Sequence, residues 1–240
     1  MKALILNSGI GKRMRPITNE IPKCLIKLNG NTILGHQIEN LLKVGVDEII
    51  MTTGPLEDKI KSFMNENFPH VKVKYIKNEK YETTNYIYSL WLAKDHIDDD
   101  IILLHGDMVF EPELLVRLIE CENKNCVLIN NKIELPQKDF KAHIIDNKIK
   151  EIGVDVFTEN SSFLAPIYKL SKKDFLIWMN EIENFIKKGE VNKYAEDAFN
   201  EIHHKINLRP TFFSEEFCME IDNVDDLQIA KEFFMKKKAG

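Results

Sequence analysis

Lys2–Lys23 reads KALILNSGIGKRMRPITNEIPK. The short apolar run Lys2–Leu6 stops at a glycine-containing loop, the pattern of a buried strand that delivers a loop to one edge of a sheet. Gly9 and Gly11 let backbone N–H groups approach an anion at points where a Cβ would intervene. Lys12, Arg13 and Arg15 add full positive charges, and Lys23 follows Pro22, which stiffens its placement. Two of the four arginines of the chain stand in this loop, and arginine is the bidentate phosphate ligand. Two familiar phosphate binders are excluded. The P-loop pattern G-x-x-x-x-G-K-[ST] is absent, and the dinucleotide pattern G-x-G-x-x-G has Met14 at its third glycine. Glycine spacing and charge alone fit a triphosphate grip or a solvated basic turn equally well.

Working outward, strand and helix patterns alternate. Helical spacing covers Thr32–Val44, Glu48–Thr53 is strand-like, Leu56–Asn67 is helical and Val71–Ile76 is a strand. Tyr86–Lys94 reads as a helix, Ile101–Leu104 as an apolar strand ending in His105-Gly106-Asp107, Glu111–Cys121 as a helix and Cys126–Asn130 as a strand. Repeated β-α-β units predict an α/β fold. Its Rossmann-like central sheet is mixed but mostly parallel, with helices on both faces. Ligands of such sheets lie beyond the carboxyl ends of the strands, where Asn7–Arg15 and Gly106-Asp107 both fall. After Asn131 the pattern changes. Phe140–Ile152 alternates and turns at Asp146-Asn147 as a hairpin. Phe163–Leu170 is a strand, Lys172–Lys188 and Tyr194–His203 are helices, Thr211–Ile221 is a strand, and Val224–Lys237 is a helix capped by Asn223.

The apolar fraction of 44% supports one ordinary core, and a net charge of −5 without a basic run argues against a nucleic-acid surface. No apolar stretch is long enough to insert into a membrane, and Met1 leads into a strand rather than a signal peptide. Cys24, Cys121, Cys126 and Cys218 show no metal-ligand spacing. The expectation is a reduced, cytoplasmic protein with four free thiols.

The spacing Gly9-x-Gly11-x-Arg13, Pro16-x-Thr18, Pro22-Lys23 resembles the signature of the sugar-phosphate nucleotidyltransferase superfamily, with Asn7-Ser8 replacing the usual alanine pair. The resemblance implies one nucleotidyltransferase domain over residues 1–240. Residues 1–130 would form its nucleotide-binding core, 131–210 a small β/α acceptor-binding insertion, and 211–240 the return to the core with a closing helix. It also implies that Lys23 and Arg13 are catalytic and that Leu6, Asn7, Ser8, Gly9, Ile10, Gly11, Lys12 and Gly106 bind nucleotide. Asp107 by itself would suit a turn, but the family places a metal carboxylate there. Glu220-Ile221-Asp222 puts two acids on one face of a strand end, and the family carries its second metal carboxylate in this region. Asp222 ranks ahead of Glu220, and Mg2+ is the implied cofactor.

Asn78-x-x-Tyr81-x-x-x-Asn85-x-x-Tyr88-Ser89-Leu90 stands in place of the glutamine-rich base motif of sugar enzymes. With the closing EIDNVDDLQIAKEFF it resembles the phosphocholine cytidylyltransferase branch. That resemblance implies CTP as donor and a small phosphate or phosphonate as acceptor, such as phosphocholine, 2-aminoethylphosphonate or phosphoglutamine. Asn85 and Ser89, one turn apart, would face the nucleotide. Tyr194, Glu196 and Asp197 combine a ring with acids suited to a cationic acceptor, or are merely acids in a first helical turn. Phe140, Lys141, Phe163 and Trp178 are further acceptor candidates. The alternatives are a hexose-1-phosphate nucleotidyltransferase using UTP or dTTP, and a non-catalytic nucleotide-binding regulatory domain. Assembly as a homodimer stays open.

Overall fold

The computed structural model describes residues 1–239, with side chains through residue 237. β1 (Lys2–Asn7) leads through short 3-10 turns to the two-residue strands β2 (Lys27–Leu28) and β3 (Asn31–Thr32). The chain continues through α1 (Ile33–Lys43), β4 (Glu48–Thr53), α2 (Glu57–Asn67), β5 (Lys72–Lys77) and α3 (Tyr86–Ala93). β6 (Ile101–His105), β7 (Met108–Phe110), α4 (Pro112–Glu120) and β8 (Cys126–Asn130) follow. The second half contains β9 (Lys141–Ile145), β10 (Lys148–Gly153), β11 (Ser161–Leu170), α5 (Lys172–Lys187) and α6 (Ala195–Ile202). β12 (Arg209–Phe213), β13 (Cys218–Glu220) and α7 (Val224–Ala239) complete the chain.

One nine-stranded sheet runs β10-β9-β11-β6-β1-β4-β5, with β8 joining β11 to β12. Its centre, β6-β1-β4-β5, is parallel, and β11 runs antiparallel to β6, β8 and β9. The two-residue period sorts the side chains of β1 and β6 between the sheet's two faces. Leu4, Leu6, Ile101 and Leu103 pack with the residues of α3, α5 and α6. Ala3, Ile5, Ile102 and Leu104 pack with those of α1, α2 and α4. Both faces are therefore buried, which is why these strands read as unbroken apolar runs. A third cluster joins Met14, Ile26, Leu28 and Ile33 to Val109, Ile221, Leu227 and Ala230. It pins the segment after the glycine loop against β7 and α7, and so brings the two ends of the chain to one place.

Local chemistry explains most boundaries. Thr32 caps α1 by accepting from the Gly35 N–H at 2.9 Å. Asn223 caps α7, accepting from the N–H groups of Asp225 and Asp226, while the Asp226 carboxylate accepts from those of Asp222 and Asn223. The β9–β10 hairpin turns at Asp146-Asn147, whose φ values of 51° and 56° are those of a two-residue turn matched to strand twist. Thr211–Ile221, expected as one strand, is two. β12 pairs with β8 in the large sheet, whereas β13 pairs with β7 in a separate two-stranded sheet. The break falls at Ser214–Glu216, where the Glu216 carboxylate accepts from the Ser214 N–H and from Arg117.

Candidate active site

The parallel strands end at a cavity of about 460 Å³ whose walls come from segments far apart in the chain. Leu6–Gly9 and Gly11–Arg13 form one wall, with Lys23 beside them. Asn78–Ser89 forms a second, His105–Asp107 the floor, and Glu220 with Asp222 the side nearest α7. Lys138, Asp139, Phe140 and Tyr194 close it from the second half of the chain.

Two glycines are required by geometry. Gly11 has φ +61°, and a Cβ there would stand 3.0 Å from Thr18 Cγ2, while the Thr18 hydroxyl donates to the Gly11 carbonyl at 2.8 Å. At Gly106 a Cβ would collide with the Leu6 carbonyl and the Asn7 side chain, because β1 and the β6–β7 turn touch there. Gln37, on α1, donates to the carbonyls of His105 and Met108 at 2.9 and 2.8 Å, and the Ile221 N–H donates to the Asp107 carbonyl at 3.0 Å. The turn bearing Asp107 is thus held from both sides.

The charged groups form one network. Lys23 Nζ donates to Asp107 Oδ2 at 2.7 Å and Asp222 Oδ1 at 3.0 Å, and Arg13 Nη2 stands 2.7 Å from the same Asp222 oxygen. Burial opposes the charge of Lys23, but the two carboxylates outweigh it and raise its pKa. Burial likewise opposes ionisation of Asp107, and Lys23 with His105 outweighs it, holding that carboxyl below its usual range. Glu220 differs. Burial pushes it up, and its hydrogen bond with His105 Nδ1 at 3.2 Å offsets this incompletely.

Two overlapping sets bring ligand atoms within 4.8 Å of one another: His105, Asp107 and Glu220, and Asp139, Glu220 and Asp222. Glu220, ranked below Asp222 from the sequence, belongs to both. Oxygen-rich sets of this kind suit a hard divalent cation. The Lys23 ammonium bridges Asp107 and Asp222 as a cation would, so the residues present fit a metal.

The family model described as the MobA-like NTP transferase domain matches residues 3–166, which hold the glycine loop, Lys23 and Asp107. The chain belongs to this family. Among relatives of this NTP transferase is the CTP:phosphoglutamine cytidylyltransferase of Campylobacter jejuni. It is 28% identical over 97% of this chain and 100% of its own length. The CMP-5'-(3-aminopropyl)phosphonate synthase of Streptomyces rubellomurinus is 33% identical over 53% of the chain. That match spans 20% of the Streptomyces protein's length, so about half of this chain corresponds to a fifth of that protein. In structure, the CTP:phosphocholine cytidylyltransferase of Streptococcus pneumoniae superposes with a TM-score of 0.81, covering 97% of this chain and 98% of that one at 21% identity. At that identity the likeness is one of fold.

The NTP transferase cavity gathers most of the residues singled out in the sequence and leaves some aside. Leu6, Asn7, Ser8, Gly9, Gly11, Lys12, Arg13, Lys23, Asn85, Ser89, Gly106, Asp107, Glu220 and Asp222 line it. Ile10 does not. It lines a neighbouring, smaller pocket with Arg15 and Thr18. Of the acceptor residues, Tyr194 lines the cavity, whereas Glu196 and Asp197 do not. Asp197 accepts from the Tyr194 N–H, a capping role drawn from the first turn of α6. Glu196 is 1% exposed and accepts hydrogen bonds from the hydroxyls of Tyr86 and Tyr168. It acts behind the wall and is not on its surface. Trp178 and Phe163 belong to the two large cores, and Lys141 is buried with its ammonium on the Pro136 carbonyl.

Four rings stand together where Phe140 and Tyr194 close the cavity. Tyr86 meets His105 edge-on at 4.7 Å and Tyr194 at 6.0 Å, and Phe140 meets Tyr194 at 5.2 Å. Sequence reasoning missed Tyr86, Asp139 and the site position of His105. Tyr86 sits beside the Asn85 cap in the flagged motif, and that adjacency was its available signal. Asp139 lies in an irregular segment that offers no pattern. Among the described residues no helix is long and apolar enough to cross a membrane.

Proposed function

We propose that this protein is a cytoplasmic cytidylyltransferase that moves CMP from CTP to a small acceptor and releases pyrophosphate. The acceptor carries a phosphate or phosphonate at one end and an ammonium group at the other, a description that covers phosphocholine, aminoalkylphosphonates and phosphoglutamine. The observation that carries this reading is the meeting of Lys23, Arg13 and the carboxylates Asp107 and Asp222 at the base of the glycine-loop cavity. The CTP-dependent Campylobacter relative supports the choice of nucleotide, and the ring cluster of Tyr86, His105, Phe140 and Tyr194 supports an ammonium-bearing acceptor.

In this reading an oxygen of the acceptor's phosphate or phosphonate attacks the α-phosphorus of CTP in line. A new P–O bond forms as the bond to the β-phosphate oxygen breaks, and the electron pair leaves with pyrophosphate. The attacking oxygen is ionised near neutral pH, so no side chain has to remove a proton. The work left to the protein is positioning and charge stabilisation. Lys23 meets the charge developing on the α-phosphate, while Arg13 and the Gly9–Lys12 backbone amides hold the β- and γ-phosphates. Asp107, Asp222 and Glu220 would hold Mg2+, which supplies further neutralisation of phosphate oxygens. Asn85 and Ser89 border the space for cytidine and ribose.

Pyrophosphate release tests this. CTP, UTP, dTTP and ATP are crossed with phosphocholine, 2-aminoethylphosphonate, phosphoglutamine and glucose 1-phosphate. Turnover is expected with CTP and an ammonium-bearing acceptor. Release confined to UTP or dTTP with the sugar phosphate would overturn the reading, and no release with any pair would favour a regulatory nucleotide-binding domain.

A further inference from the structure

At the opposite end of the sheet from the cavity, the loop between α4 and β8 brings two cysteines together. Cys126 begins β8 and pairs with Lys169 of β11, which faces Ile102 near the start of β6, whereas His105 at the far end of β6 reaches the cavity. Cys126 Sγ donates its proton to Cys121 Sγ at 2.8 Å, well inside ordinary sulfur–sulfur contact. Asn123 Nδ2 also donates to Cys121 Sγ at 3.6 Å, and its carbonyl lies 3.2 Å from Cys126 Sγ. Cys126 is fully buried, while Cys121 is part-exposed and lines a surface groove with Arg117, Thr211 and Phe212. Thr211, 7% exposed, lines that groove, and its hydroxyl is buried without a hydrogen-bond partner, which leaves its proton free to turn toward a thiolate.

We propose that Cys121 and Cys126 are a dithiol modification site, which hydroperoxides oxidise to an intramolecular disulfide. Cys121 is the attacking sulfur, because the surface groove reaches it and the donors surround it. Burial pushes its thiol up, but the donors around it, Cys126, Thr211 and Asn123, outweigh this by favouring the thiolate and bring it down to about 7. Burial pushes Cys126 up to about 12, so that sulfur keeps its proton at neutral pH. The Cys121 thiolate attacks a peroxide oxygen, the O–O bond breaks, and an alcohol leaves after taking up a proton, so Cys121 becomes a sulfenic acid. The Cys126 sulfur then attacks the Cys121 sulfur. The S–S bond forms, the S–O bond breaks, and hydroxide leaves with the Cys126 proton as water. One hydroperoxide and two thiols thus give one alcohol, one water and one disulfide. A small dithiol reverses the change by exchange.

The other cysteines lack this arrangement. Cys24 is 2% exposed, and burial pushes its thiol up to about 12. Burial raises the thiol of Cys218 as well, beside Glu220.

The test treats the reduced full-length protein with tert-butyl hydroperoxide and follows thiol count, intact mass and peptide linkage. The expected result is loss of two of the four thiols, a mass decrease of two hydrogen atoms, and a Cys121–Cys126 linked peptide that dithiothreitol abolishes. In Cys126→Ser, a dimedone-reactive sulfenic acid should persist at Cys121, and in Cys121→Ser position 126 should stay unmodified. Wild-type protein in which Cys121 gains oxygen while Cys126 remains a free thiol would overturn the proposal. So would a full thiol count at a dose that modifies Cys121 in Cys126→Ser. The wild-type measurement stands without the variants should either fold poorly.

Discussion

Lys23 Nζ lies 2.7 Å from Asp107 Oδ2, so the side chain proposed to meet phosphate and a side chain proposed to hold metal neutralise each other. The proposed reaction gives each a different partner. Binding of nucleotide and cation is then an exchange of partners, with the ammonium moving to phosphate as the cation takes the carboxylates. Lys23→Met should lower kcat by about 10²–10³-fold, about 2.7–4 kcal/mol, the effect of losing one electrostatic donor. The same substitution removes the ammonium that competes for Asp107 and Asp222, so Mn2+ titrated without nucleotide should bind more tightly than to wild type. Weaker Mn2+ binding by the variant would show that Lys23 does not compete with cation.

The pair also has a pH signature. The folded pKa of Asp107 lies below the ordinary value of 3.8, so its stabilising contribution is present above that value and is lost as pH falls through the lower, folded one. The folded pKa of Lys23 lies above 10.5, so its contribution is present below that value and is lost as pH rises through the raised one. Lys23→Met leaves the carboxylates without their buried partner, at a cost of roughly 2–3 kcal/mol near neutrality for a site not wholly closed to water. The Tm difference between wild type and variant should be widest near pH 7 and should narrow toward pH 3. A constant difference across that range would show that the pair does not contribute through charge.

Asp107 and Glu220 divide the acidic work differently. Asp107→Asn should abolish turnover and weaken Mn2+ binding at least tenfold, or about 1.4 kcal/mol. Glu220→Gln removes the group common to both carboxylate sets and frees His105 from its 3.2 Å partner. It should weaken Mn2+ binding and lower the imidazole pKa of His105, because the carboxylate is what raises that value against burial. NMR titration of the imidazole together with a Mn2+ isotherm checks both outcomes.

What was legible in the sequence follows from how local each signal is. β4 and β8 lie at the expected residues because a fully buried strand announces itself by unbroken apolar content, as in EIIMTT and CVLIN. The hairpin at Asp146-Asn147 was legible because two adjacent residues that tolerate positive φ stand between alternating strands. Thr211–Ile221 was misread because its apolar residues continue across Ser214–Glu216, where a turn held by Glu216 and Arg117 sends the chain to a different sheet. The same limit applies to the site. The glycine loop and Asp107 follow strand ends, and Lys23 follows Pro22 in a spacing that can be read. Glu196 lies in a helix's first turn, where an acid has an ordinary use, and its burial under two tyrosines depends on contacts distant in sequence. The 121–126 pair lacks the short spacing of a metal or redox motif, and only the return of the chain into β8 joins it.

Gln37 carried a signal that went unused. It falls within the apolar stripe Ile33, Leu34, Ile38 and Leu41 of α1, where a polar side chain needs a partner, and it is 1% exposed. Its amide holds the carbonyls of His105 and Met108 on either side of Asp107. Gln37→Leu keeps the volume and leaves two buried carbonyls unpaired, which should cost about 2–4 kcal/mol. For a chain of this size that corresponds to a Tm decrease of about 5–12 °C. The freed turn should also lower kcat more than it raises KM for CTP. Loss of stability with unchanged kcat would mean that Asp107 is positioned without Gln37.

Glu196 provides a test of the proposed acceptor end that spares the proposed phosphate grip. Its carboxylate accepts from two tyrosine hydroxyls at once, 2.8 Å from Tyr168 and closer to Tyr86, and burial followed by this acid raises the Tyr86 pKa well above the ordinary value. Tyr86 is thereby kept as a neutral donor with its ring turned to His105 and Tyr194. Glu196→Gln presents an amide N–H to one of the two hydroxyls, which must then rotate or lose its partner. The wall should loosen while Lys23, Arg13 and the glycine loop stay in place. KM for an ammonium-bearing acceptor should rise about tenfold, or about 1.4 kcal/mol, with KM for CTP nearly unchanged. Tyr194→Ala, which removes a ring of the wall itself, should shift the same constant in the same direction. An increase in KM for CTP with the acceptor constant unaffected would place Glu196 and its tyrosines at the nucleotide, and the acceptor would then have to be sought elsewhere in the cavity.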